Sequence, residues 1–259
     1  MFHRSRGTVL FTASLLASLL SGCHQNPTAP PVSDQQVFTK IEPETAGTLV
    51  GTVYFKDINT PQQVPIDMSQ DPACSLNATG RNMSEEFMIH NGDLQNVFVF
   101  IKTGLGSRVY APDTTPVVLD QKGCHYVPHV IAVSVGQPIE VHNSDMTMHN
   151  VHPEPIAIGN HESDITQAPH GKPVDVAFQQ PETMMAVRCN NHPWMEAFIN
   201  VADNPFYAIT DASGHYEIHG LPPGTYTLGA AHEKLGRKEM TITIQPHATT
   251  TADFTFQAR

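Results

Sequence analysis

Cys189-Asn190-Asn191-His192-Pro193-Trp194-Met195 sets a thiolate, an imidazole and a thioether at three-residue intervals in one short loop. A single turn following a strand can aim all three at a common point. A second imidazole stands upstream in Asn143-Ser144-Asp145-Met146-Thr147-Met148-His149-Asn150, beyond the apolar alternating segment Gly136-Gln137-Pro138-Ile139-Glu140-Val141. Two His, one Cys and a weak axial Met are the donors of a blue copper site. The spacing therefore predicts one copper ion held by His149, Cys189, His192 and Met195.

Alone, Cys189 and His192 would mean little, because a buried Cys beside a His is usually a small hydrophobe with a polar neighbour. Met195 at the same offset again, and His149 after a strand ending near Asn143, give the pair its weight. The set resembles the cupredoxin family, with a first His after an Asn-x-Asp-like turn and a late Cys-x-x-His-x-x-Met loop. The two-residue gap before Met195 is most similar to the amicyanin type. The resemblance implies a Greek-key β-sandwich binding one type 1 copper, and Asn150, after the first His, tying the two ligand loops together. Trp194 is expected either to pack over the site and keep water out or to form part of an apolar patch where a partner approaches His192.

The first six residues are basic, and the apolar run from Val9 to Leu20 follows them, as in an export signal. The run is short of the ~18 to 20 apolar residues that a membrane span needs. Its end, Leu20-Ser21-Gly22-Cys23, resembles a bacterial lipobox, which implies cleavage after residue 22 and lipid on Cys23. His24 at the next position implies sorting to the outer membrane, facing the periplasm. Of the four cysteines, Cys23 then takes lipid and Cys189 metal. That leaves Cys74 and Cys124 to form a disulfide in an oxidising compartment, or to stay reduced, or to hold a second metal with His125 or His129. The formal net charge is -11, and loss of Arg4 and Arg6 with the signal makes it -13. Such acidity argues against nucleic acid as a partner.

Pro27, Pro30, Pro31 and Pro43 mark residues 23–46 as a tether. From Thr48 on, short β-branched or aromatic runs bounded by Gly, Pro, Asn and Asp predict strands at Leu49–Phe55, Val97–Ile101, Val117–Leu119, Val130–Val133 and Ile139–Val141. Roughly 210 residues of this kind suggest more than one sandwich, at about 100 residues each. Residues 121–202 carry the copper domain. Beyond Asp203-Asn204-Pro205, the stretch Thr210-Asp211-Ala212-Ser213-Gly214-His215-Tyr216 through Leu221-Pro222-Pro223-Gly224-Thr225-Tyr226 resembles the carboxypeptidase regulatory-like family, a small transthyretin-like β-sandwich. It implies no chemistry for residues 203–259. Residues 47–120 begin like the first strand of such a sandwich and either join the C-terminal piece or form their own layer. The expected class is all-β.

His152 is read as a surface or supporting residue rather than a ligand, His125 and His129 as strand-end residues, and His161, His170 and His247 as solvated. One of Met184 and Met185 should face the core. A multicopper enzyme would wire a further centre through a His beside the Cys, but Cys189 is flanked by Arg188 and Asn190. A binuclear carrier would need two Cys in the loop. The expectation is a non-enzymatic, lipid-anchored one-electron carrier whose redox partner the sequence does not name, a small c-type cytochrome being one candidate. The competing reading is copper storage, delivery or tolerance.

Overall fold

Strict alternation in Gly47–Phe55 buries every second side chain of the first strand, β1. The computed structural model describes residues 36–77 and 82–258; the expected signal, Cys23 and most of the tether lie outside them. After β1 come α1 (Pro72–Asn77), β2 (Ile89–His90), β3 (Asp93–Leu94) and β4 (Phe98–Thr103). The middle of the chain forms β5 (Val117–Gln121), β6 (Tyr126–Val127), β7 (Val130–Ser134), β8 (Ile139–Asn143), β9 (His149–Pro153), β10 (Ile165–Gln167), β11 (Val174–Val176), β12 (Glu182–Arg188) and β13 (Glu196–Ala202). It closes with β14 (Tyr207–Ile209), β15 (His215–Leu221), β16 (Gly224–His232), β17 (Gly236–Ile244), β18 (Thr249–Thr251) and β19 (Phe254–Phe256).

The fold is all-β, in two sandwiches. One packs the sheet β10-β9-β12-β13-β7 against β11-β8-β5-β6, around a core that includes Leu119, Tyr126, Val133, Ile139, Val141 and Val187. The other packs β15-β1-β3-β2, extended by β18 and β19 along β1, against β14-β4-β16-β17. Its core holds Leu49, Val53, Phe206, Tyr216, Leu228 and Phe254.

Two expected boundaries are corrected. The first sandwich begins at Val117 rather than Gln121, because the β-branched run of β5 pairs in parallel with β8 from Val117↔Ile139 to Gln121↔Asn143. Residues 203–259 are not a sandwich by themselves, since β1 is their central strand, antiparallel to β15 and parallel to β18 and β19. Gly51 makes this possible, because a Cβ there would collide with the Ala252 carbonyl. The strands of residues 47–103 thus belong with the C-terminal piece. The first sandwich is nested inside the second, leaving after β4 and returning at β14, which pair with one another.

The two sandwiches meet through a residue expected to be a simple strand end. His129 is buried, with Nδ1 facing the Glu196 carbonyl at 3.1 Å and Nε2 facing Glu233 Oε1 at 2.5 Å. Burial pushes His129 down, but the Glu233 carboxylate outweighs it and raises it.

Candidate metal centre

The β12–β13 hairpin supplies three of the four expected donors. β12 ends at Arg188 and β13 starts at Glu196. Between them Met195 N–H donates to the His192 carbonyl at 2.9 Å, and Cys189 N–H to the Met195 carbonyl at 3.3 Å. These two bonds fold the loop so that Cys189, His192 and Met195 are all buried. Met195 and Cys189 belong to one apolar cluster. His149 is the first residue of β9, fully buried. The loop before it is held by Asn143, whose Oδ1 accepts from Asp145 N–H at 3.0 Å and whose Nδ2 donates to the Thr147 carbonyl at 3.0 Å.

These elements bring His149 Nδ1 within 2.9 Å of His192 Nδ1, with Cys189 Sγ 4.0 Å from the first and 3.5 Å from the second. The point equidistant from the three atoms lies about 2 Å from each, a metal–nitrogen bond length. Each imidazole turns its other nitrogen to a carboxylate. His149 Nε2 donates to Asp145 Oδ2 at 2.9 Å and His192 Nε2 to Asp71 Oδ2 at 2.8 Å. An ionised carboxylate only accepts, so Nε2 carries the proton in both rings and Nδ1 is left to bind metal. Two nitrogens and a thiolate converge here, with Met195 buried at the end of the same loop, a donor set that fits copper.

The thiol is prepared for this role. Burial pushes Cys189 up, but bonds from His149, the Asn150 amide at 3.3 Å, His192 and the Asn191 amide outweigh it and bring it down to about 6. His149 moves the other way. Burial lowers it, but Asp145 and the Cys189 sulfur raise it to about 9.

Asn150 joins the two ligand loops, accepting from Asn191 Nδ2 at 2.8 Å and donating to Asp164 and Thr166. Trp194 lies over His192, ring centroids 5.2 Å apart, and is anchored by Nε1 donating to the Cys124 carbonyl at 3.1 Å. His192 is only 3% exposed, its ring covered by Asp71 and Trp194. His152 turns to Asn190 and Glu162, away from the donor cluster. His125 faces Glu85, and His161, His170 and His247 are exposed. Met185 is in the core. Cys74 and Cys124 form a disulfide.

Sequence reasoning assigned no role to the two carboxylates. Asp145 had a signal, standing four residues before His149. Asp71 had none, lying 121 residues from His192.

Residues 189–257 match the carboxypeptidase regulatory-like domain. The matched span takes in the hairpin loop and β13 of the nested sandwich and leaves out β1. No curated protein matches the chain. Among solved structures, similarity extends to a Cu-containing nitrite reductase from Thermus scotoductus SA-01, 22% identical over 38% of this chain at a TM-score of 0.32. The chain covers 24% of that reductase. It also extends to an oxidised amicyanin variant, 19% identical over 40% of this chain and 98% of amicyanin, TM-score 0.31. A purple cupredoxin from Nitrosopumilus maritimus is 18% identical over 34% of this chain and 99% of its own, TM-score 0.28.

Proposed function

We propose that the chain is an exported type 1 copper protein that carries single electrons. The reading rests on one observation, the buried triangle of His149 Nδ1, His192 Nδ1 and Cys189 Sγ around a point about 2 Å from each. When bound, copper would supply a one-electron couple. Asp145 and Asp71 hold both rings so that neither imidazole has to turn between oxidation states. The buried loop excludes water, and Met195 stands ready as a weak fourth donor. Cys189 is flanked by Arg188 and Asn190 rather than by a His that could wire a second centre, which suits a carrier better than an oxidase or reductase. Lipid on Cys23 would tether the protein to the envelope, facing the periplasm, where a small c-type cytochrome is a candidate partner.

Titration of the purified metal-free protein with Cu(II) should give one equivalent bound and an intense visible band from sulfur-to-copper charge transfer. Cys189→Ser should abolish it. A fully loaded, colourless wild type would overturn the assignment, once zinc has been ruled out by metal analysis. Labelled palmitate should enter the full chain and not Cys23→Ala.

Copper delivery or storage is the second reading, and a specific feature favours it. Met146 and Met148, just before His149, are 63% and 47% exposed, and His170 Nε2 lies 2.8 Å from Met146 Sδ. Exposed thioethers are soft donors that release copper readily. Fast electron exchange with an electrode would favour the carrier, and slow exchange with ready copper transfer to an acceptor would favour delivery.

A further inference from the structure

The connection between β1 and β2 belongs by chain order to the outer sandwich, yet it packs on the nested one. Met68 and Cys74 from it are buried in the same cluster as Cys124, Cys189 and Met195. Asp71 lies on this connection just before α1. Its Oδ1 accepts from Ala73 N–H at 2.7 Å and Cys74 N–H at 3.4 Å. Its Oδ2 accepts from Thr147 Oγ1 at 3.0 Å and from His192 Nε2 at 2.8 Å. Every oxygen of this carboxylate is therefore fixed. Cys74, three residues on, is bonded to Cys124, whose own amide donates to Asp145 Oδ2 at 2.8 Å. The carboxylates behind the two imidazoles thus stand at opposite ends of one disulfide.

Resting on the copper reading above, we propose that Asp71 is a positioning residue for the metal centre, and that the Cys74–Cys124 bond is the staple that keeps it against His192. The nested sandwich holds His149 with a carboxylate of its own, Asp145. It has none for His192, and the outer sandwich lends one. Without Asp71, the Nε2 edge of His192 opens to the small cleft lined by Thr147, Met148 and Trp194. Water then enters beside a ligand. The ring, no longer fixed, can also turn its Nδ1 away from the other donors. A carboxylate partner also makes an imidazole a better donor to the more highly charged ion, so its loss should favour Cu(I).

The test compares wild type, Asp71→Ala, Asp71→Asn and Cys74→Ser/Cys124→Ser. In the metal-free protein, nitrogen-15 spectra should show a slowly exchanging His192 Nε2 proton in wild type and its loss in Asp71→Ala. Loaded with copper, Asp71→Ala and the double serine variant should keep the visible band, lose copper to a chelator about 10- to 100-fold faster, and show a higher reduction potential. Asp71→Asn, which retains an acceptor without the charge, should restore the slow proton but not the potential. Folded Asp71→Ala with wild-type copper loss, potential and His192 spectrum would overturn the proposal. If Asp71→Ala fails to fold, wild-type values in Asp71→Asn and the double serine variant would do the same. If wild type binds no copper, the copper reading fails, while the His192 spectrum still decides whether Asp71 orients the ring.

Discussion

With Cys189 titrating at about 6 and His149 at about 9, the metal-free centre between those values holds a thiolate against an imidazolium. Copper needs the thiolate and the neutral ring, so in this window binding displaces one proton, from His149 rather than from the sulfur. Affinity should therefore rise with pH up to about 9 and level off above it. Competition titrations across this range check the rise, and calorimetry in buffers of different ionisation enthalpy counts the proton. Met195, the last residue of the loop, is 1% exposed. Met195→Leu should keep copper and colour while raising the reduction potential, because a weak donor is replaced by hydrocarbon of similar bulk. Voltammetry of the two loaded proteins reads the shift, whereas His149→Ala should disrupt colour and affinity together.

The disulfide joins α1 to the loop before β6 across 50 residues. In the chain-entropy account such a closure contributes about 4 kcal/mol. Cys74→Ser/Cys124→Ser should lower the denaturation midpoint accordingly, as urea melts followed by circular dichroism would show. The elements themselves were largely legible in the sequence. Alternation in β1 and the β-branched runs of β4, β5, β7 and β8 each carry their signal within one strand, and the strands formed there. The clustering of Cys189, His192 and Met195 in the hairpin loop was legible for the same reason, each lying three residues from the next. Asp71 was invisible because its partner is reached only through the fold and a covalent bond. The nesting was invisible too, since the register of β1 against β15, β18 and β19 depends on residues far along the chain.

Between the sandwiches, the His129–Glu233 pair has side chains only 6% and 1% exposed. Removing one partner of such a buried pair leaves the other uncompensated, at about 3 kcal/mol or more. Glu233→Ala should therefore destabilise the protein without changing the visible band of the copper-loaded form, as thermal melts and absorption spectra together would show. His129 is raised in the folded state, so its contribution is complete below its unfolded value near 6.5 and fades as pH rises through the folded one. Glu233→Gln should remove most of that pH dependence.

The nested arrangement also orders events in time. β1 pairs with β19, Phe55 opposite Phe256, so its partners lie roughly 200 residues downstream, a loop whose closure is slow and entropically unfavourable. The strands from Val117 to Ala202 find their neighbours at shorter range and can condense while the outer sheet is still open. Their condensation draws β4 and β14 side by side and shortens the search that remains. Until residues 249–256 arrive, the edge of β1 that β18 and β19 will cover is open to the wrong partner. A chain released or clipped before Thr249 would keep the His149, Cys189 and His192 cluster and yet be the form most prone to aggregate.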